Sequence, residues 1–201
     1  MRRSDYEMTE REEIDKLLAE AGHGYLGIVT ADGWPSVVPL NFVVVDDTVY
    51  FHGAHEGQKM DALAANPRVS FTVVEDFSFI PSYFRDPRFA CPATQYYRSV
   101  MIRGHARIVD GAAEKALALQ ALMEKLQPEG GFEPITAAAP MYRKSLKTTA
   151  VVAIDIEQIA GKFKFGQNLP RSKREQVAAR LGERGCPIDH DTVEMMQRYN
   201  R

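Results

Sequence analysis

Apolar positions in the first 75 residues fall into short runs separated by turn formers. Thr9-Glu-Arg-Glu12 has the form of a capping box, and Ile14, Leu17, Leu18 and Ala21 follow at helical spacing, which predicts a helix running to Gly22. Gly24 to Thr30 then predicts a strand, and the Asp-Gly pair in Ala31-Asp-Gly33 favours a tight reversal. Extended structure resumes over Trp34 to Val45, turns at Asp46-Asp47 and continues from Thr48 to His52. A short helix carrying Lys59 in its first turn must stop at Asn66-Pro67, because a residue before proline avoids helical backbone angles. Arg68 to Val74 is the next strand.

Residues 75 to 96 change character. Phe77, Phe79, Tyr83, Phe84, Phe89, Tyr96 and Tyr97 are interleaved with Pro81, Pro87 and Pro92, which predicts a long aromatic loop whose rings pack under it or against a second subunit. Tyr97 to Val109 alternates well enough for a long strand, with Gly104 as a bulge. Ala112 to Gln127 places Ala116, Leu119, Leu122, Met123 and Leu126 on one helical face. Residues 128 to 149 are expected to be irregular, and Thr149 to Ile156 forms the last core strand. Ser172-Lys-Arg-Glu175 reads as a second capping box opening a helix toward Gly182, and a further short helix spans Asp191 to Arg198. Six strands joined mostly by hairpins, with short helices between them, predict a mainly β (α+β) class built on an antiparallel barrel with peripheral helices.

Composition narrows the partners. The 201 residues include 25 basic and 27 acidic side chains, a net charge of −2, so no global field draws in nucleic acid or an anionic membrane. Any anion site must be local. Cys91 and Cys186 lie far apart, without the spacing of a zinc site, and read as free thiols of a reducing compartment. The amino terminus lacks the apolar core of a signal peptide and no segment is long and apolar enough to span a bilayer, so the expected location is cytoplasmic. His23, His52, His55, His105 and His190 show no ligand spacing, and no metal is expected. No nucleophile elbow, phosphate loop or dinucleotide fingerprint occurs.

Val49 to Lys59 carries the most specific chemistry. An apolar run ends in His52-Gly53-Ala54, Gly57 sits in a small-residue turn, and Lys59 opens a helix. A helix start offers unpaired amides and the lysine adds a full charge, an arrangement that holds a phosphate monoester from several sides. The same residues also fit an ordinary corner with a solvated lysine.

Taken together, four ordered pieces resemble the FMN-binding split barrels of the pyridoxamine 5'-phosphate oxidase-like superfamily, and within it the nitroimidazole-reductase-like (nitroimidazole resistance) group. They are Gly33-Trp-Pro-Ser-Val-Val-Pro-Leu-Asn41; Tyr50-Phe-His-Gly-Ala54 with Gly57-Gln-Lys59 and Asn66-Pro-Arg-Val69; Tyr97 to Arg107; and Gly161-Lys-Phe-Lys-Phe-Gly-Gln-Asn168. The resemblance implies a six-stranded split barrel over residues 1–170 with a helical extension over 171–201, and a homodimer with FMN at the subunit interface. It implies that Val38, Pro39, Leu40 and Asn41 line the isoalloxazine through backbone groups, and that His52, Gly53 and Ala54 flank the ring or ribityl chain. Gln58 and Lys59 would hold the phosphate, although the oxidases place an arginine where this chain has Gln58. Ser99 would reach the flavin from a neighbouring strand, and Lys164 with Gln167 would close the site from the carboxyl-terminal segment. His52 would either donate a proton to a reduced substrate or merely pack beside the cofactor.

The function that this implies is hydride transfer through the flavin to a small aromatic or nitro substrate. The alternatives are a non-catalytic flavin-binding sensor or regulator, and a barrel that binds haem or a deazaflavin, with His52 as a haem ligand. Residues 180–201 lack the arginine and histidine pair with which the oxidases grip pyridoxal phosphate, which sets the chain apart from B6 oxidation.

Overall fold

The computed structural model describes residues 3–199, so the outermost residues of the two expected segments, 1–2 and 200–201, lie outside the described residues. In chain order the elements are β1 (Glu7–Met8), α1 (Arg11–Glu20), β2 (Gly24–Val29), β3 (Pro35–Leu40), β4 (Val43–Val45), β5 (Thr48–Gly53), α2 (Gln58–Ala65), β6 (Arg68–Ile80) and β7 (Thr94–Ile108). They are followed by α3 (Ala112–Leu126), α4 (Arg143–Thr148), β8 (Ala150–Lys164), α5 (Arg171–Arg184) and α6 (Pro187–Tyr199). The strands form one sheet in the order β3-β2-β6-β7-β8-β5-β4, with β1 added to β8. Each pair whose register is defined is antiparallel.

Eight strands replace the six expected. The run from Trp34 to Val45 divides at Asn41-Phe42, because β3 pairs with β2 while β4 pairs with β5. Asn41 hydrogen-bonds the Gly22 carbonyl at 2.7 Å and Phe42 is fully buried edge-to-face on Phe71, so the chain is pinned where it changes neighbours. The expected aromatic loop shrinks to residues 81–93, since β6 continues to Ile80 and β7 starts at Thr94. Its rings divide: Phe77, Phe84 and Tyr96 are buried, whereas Phe79, Tyr83 and Phe89 are exposed. Gly104 is no bulge; a Cβ there would lie 2.1 Å from the Asp155 carbonyl oxygen, so the residue is needed for close approach to β8.

The chain forms two compact units. In the second, Asp15–Val73 with Met101–Ile159, helix α3 packs Ala118 and Leu122 onto Val43, Tyr50, Val109, Val151 and Ala153. Leu126 of the expected apolar face is instead exposed. Arg107 bridges Glu114 at 2.7 Å and Asp155 at 3.2 Å, and the Tyr50 hydroxyl donates to Glu114. Residues 140–148, expected to be irregular, form a short 3-10 turn and α4.

The first unit comprises the described residues up to Ile14, Val74–Val100 and those from Ala160 on. Its core is aromatic: Phe165 meets Phe77 edge-on and stacks on Tyr199, which in turn meets Phe163. Ser172 does not cap α5; the first turn closes on the Pro170 carbonyl, which places Ser172 inside the helix. That helix runs past Gly182 and ends at Gly185, in the left-handed conformation that suits a C-terminal glycine. Helix α6 docks through Asp189, which is 1% exposed. Its carboxylate accepts from Arg184, from Ser78 at 2.5 Å and from the Cys186 amide, while Thr192 accepts from the Ser78 amide at 3.0 Å.

The Arg184 guanidinium, followed by the Ser78 and Cys186 donors, holds the Asp189 carboxyl well below the usual carboxylate range. The stabilisation is therefore present above about pH 4, the unfolded value, and is lost as pH falls toward the depressed native one. Asp189→Ala removes the acceptor of the buried Ser78 hydroxyl, of the Cys186 amide and of the Arg184 guanidinium, and is expected to lower unfolding free energy by about 2 kcal/mol in urea titration.

Candidate functional site

A corner of the second unit is formed where β5 ends and α2 begins. Helix α2 opens behind Gly57, whose φ of 117° is open to glycine but rarely adopted by other residues, and no side chain caps it. The first helical bonds run from Met60 and Asp61 to the Gly57 carbonyl, so the amides of Gln58 and Lys59 have no intrahelical acceptor. The missing side chain of Gly53 makes room for Lys59: a Cβ there would sit 3.2 Å from the ammonium nitrogen. The same nitrogen lies 5.0 Å from the centre of the Phe51 ring. Lys59 is half-buried and makes no hydrogen bond or ion pair among the described residues. Burial alone pulls its pKa below the ordinary value. It is a desolvated cation without a counter-charge, at a helix start with free amides.

His52, Ala54 and Gln58 are exposed around that corner. The His52 imidazole, at the end of β5 opposite Val151, has no hydrogen-bond partner among the described residues. The corner can hold an anion and present a free imidazole beside it.

Val38, Pro39 and Leu40 lie on β3, paired to Leu26, Tyr25 and Gly24 of β2. As the terminal strand, β3 has no partner on its other side, so part of its backbone remains free to bond a ligand. Neither face is buried: Val37 is 66% exposed and the adjacent Trp34 68%. No hydrogen bond joins Val38–Asn41 to the Lys59 corner among the described residues; Asn41 spends its amide on Gly22.

Ser99, Lys164 and Gln167 belong to the first unit. Ser99 is half-buried on the outward face of β7, two residues from Tyr97. Lys164, at the end of β8, donates to the Thr94 hydroxyl and lies 5.8 Å from the Tyr97 ring, with Lys162 at 5.2 Å. Burial, then the nearby Lys162 and Arg3 charges, lower the Lys164 pKa. Gln167 is engaged locally: its amide nitrogen donates to the Phe163 carbonyl and its oxygen accepts from the Phe165 amide, both at 2.7 Å. It fixes the turn at Gly166. Sequence reasoning overlooked Phe51, Thr94 and Lys162; for Phe51 the only signal was its position between Tyr50 and His52 at the strand end.

Among the described residues no helix is long and apolar enough to cross a membrane. No curated protein matches the sequence. Solved structures do. A candidate 5-nitroimidazole antibiotic resistance protein from Bacteroides thetaiotaomicron is 24% identical, with a TM-score of 0.64 over 78% of this chain and 85% of that chain. The flavocytochrome Anf3 from Azotobacter vinelandii is 26% identical, with a TM-score of 0.67 over 79% and 69%. An FAD and heme binding protein from Mycobacterium smegmatis is 24% identical, with a TM-score of 0.67 over 87% and 80%. The family model of pyridoxamine 5'-phosphate oxidase matches residues 10–163, well over half of the sequence. The chain has the split-barrel fold and belongs to the pyridoxamine 5'-phosphate oxidase family.

Proposed function

We propose that this protein binds FMN as a homodimer and acts as a flavin-dependent oxidoreductase on a small aromatic or nitro compound, in the cytoplasm. The observation that carries the reading is the uncompensated Lys59 ammonium, held against Gly53 at the uncapped start of α2. A phosphate monoester supplies the missing charge and accepts from the free amides of Gln58 and Lys59. The Gln58 side chain is exposed and able to bond an outer phosphate oxygen. The open backbone of Val38 to Asn41 suits the polar edge of the isoalloxazine, and Gly53 and Ala54 leave space for the ribityl chain. Ser99 and Lys164 complete the proposed set; Gln167 serves it through the turn that it fixes.

A bound flavin supplies hydride transfer. His52 supplies the proton, since its exposed imidazole is free to bond a substrate heteroatom. The homodimer is supported by Trp34 and Val37, large apolar side chains beside a one-sided strand that a second subunit would cover. The exposed Cys91 and Cys186 thiols support a reducing location.

A second reading, haem or FAD in the same barrel, is favoured by the free His52 imidazole and accords with the FAD and heme named for the Mycobacterium smegmatis neighbour. An absorbance spectrum separates them: paired near-ultraviolet and blue flavin bands against a Soret band. A sensor without turnover would hold flavin yet fail to pass electrons repeatedly from a nicotinamide donor.

Lys59→Ala is expected to weaken FMN binding by about 1.5 to 3 kcal/mol in a fluorescence titration, and unchanged affinity would remove the phosphate assignment. His52→Ala should leave that affinity intact and lower turnover about 100-fold, measured with a nitroaromatic acceptor. Lys59→Met should behave oppositely toward stability in the absence of flavin. A lysine with a depressed native pKa costs stability fully below that pKa, and the cost fades as pH rises toward the unfolded value of about 10.4. With screening by water, its removal is expected to raise unfolding free energy by about 0.5 kcal/mol at pH 7, with the gain vanishing at high pH.

A further inference from the structure

The first unit contains a second concentration of positive charge, built from residues other than Lys59. A cavity of about 170 Å³ is lined by Arg3, Arg85 and Lys164, together with Thr94, Asn168 and Cys91, and no carboxylate lines it. Arg85 is half-buried, and its Nε is buried without a hydrogen-bond partner among the described residues. Such an orphaned charged donor is costly, and its persistence calls for a ligand that accepts from it. The neighbouring groups point to the same kind of ligand. Lys164 spends one hydrogen on the Thr94 hydroxyl and keeps two, and Asn168 accepts from the Tyr6 hydroxyl through its oxygen, which leaves its NH2 group to donate. Burial pushes the Tyr96 hydroxyl up to about 12, so the phenol remains a neutral donor. The set is rich in donors and devoid of negative charge.

We propose that this cavity is a binding site for a small tetrahedral oxyanion, with the Arg85 guanidinium, the Lys164 ammonium and the Asn168 amide as its donors and Arg3 closing the charge balance. The volume accommodates a single phosphate group, either free or as the head of a small phosphorylated ligand. The site uses none of the Lys59 corner, and Lys164 is the residue that it shares with the proposed flavin set.

Cys91 provides a local reporter, since its exposed thiol lines the cavity, while the equally exposed Cys186 does not. A bound oxyanion blocks access to Cys91 and disfavours its thiolate. Alkylation by neutral iodoacetamide, mapped by peptide mass, is expected to slow at least about fivefold at Cys91 in inorganic phosphate relative to chloride of equal ionic strength, with Cys186 unchanged. Glycerol phosphate is the second arm: equal protection assigns the head group of a phosphorylated molecule, and protection by inorganic phosphate alone assigns the free ion. Arg85→Gln should abolish the protection and Arg3→Gln, at an exposed position, should weaken it about twofold to threefold, both with unaltered circular dichroism. Lys59→Ala, compared with the parent chain in flavin-free protein, should leave it intact. Phosphate no better than chloride, protection that survives Arg85→Gln, or protection lost in Lys59→Ala would overturn the site.

Discussion

A lysine ammonium that has lost part of its water and gained no carboxylate sits at the centre of this account. Lys59 is placed by three separate features: the positive φ of Gly57 that opens α2, the side-chain vacancy at Gly53, and the Phe51 ring beside the charge. Each is a local choice of the sequence, and the Phe51 contact offsets only part of what the other two cost the free protein. Uncapped amides and an uncompensated cation are liabilities in isolation and become assets once an anion arrives. The functional proposal follows from that asymmetry. The His52 imidazole and the one-sided strand β3 then matter because they frame the ligand that Lys59 would anchor.

Strand β8 shows how the sheet supports such a corner. Its first half pairs with β5, residue by residue from Ala150 opposite Gly53 to Asp155 opposite Thr48, and its second half takes β1 at Gly161 and Lys162. The end of β5 is thereby fixed against a fully buried partner segment, Ala150 to Ile154. Around it, two charged clusters are paired within their own units. Asp189 is surrounded by donors in the first unit, and Arg107 by Glu114 and Asp155 in the second. Other sequestered cations donate to neutral acceptors, as Lys115 does to the Leu146 and Thr149 carbonyls and Lys125 to the Leu18 carbonyl, whereas Lys59 and the Arg85 Nε have no hydrogen-bond partner among the described residues.

Much of this arrangement is legible in the sequence where the signal is local. The Asp-Gly hairpin, the glycine before α2, its stop at Asn66-Pro67 and the helical spacing after Thr9 all act within a few residues. What escaped was decided by partners distant in the chain. The extension of β6 through Phe77 and Ile80 is hidden because the neighbouring prolines suggest a loop, yet all three prolines fall in residues 81–93, beyond the strand. The break at Asn41 is invisible to alternation, since apolar residues continue on both sides and only the switch from β2 to β5 divides them. Ser172 matches a capping box, but Pro170 starts the helix first. In the site, the placement of Lys59 in the first turn of α2 behind Gly57 was readable from residue type and spacing, whereas the vacancy at Gly53 beside it, the placement of Gln167 in its own turn, and that of Arg3 and Arg85 around one cavity depend on contacts that no local pattern encodes.

The central claim is that the corner recognises a phosphate, and the most direct test compares FMN with riboflavin, which differs only in lacking that group. The account predicts that the wild-type protein prefers FMN by about 10-fold to 100-fold, the worth of one or two charge-assisted hydrogen bonds, and that Lys59→Met collapses the ratio toward unity by weakening FMN alone. Equal affinity of the wild-type protein for the two flavins would contradict it.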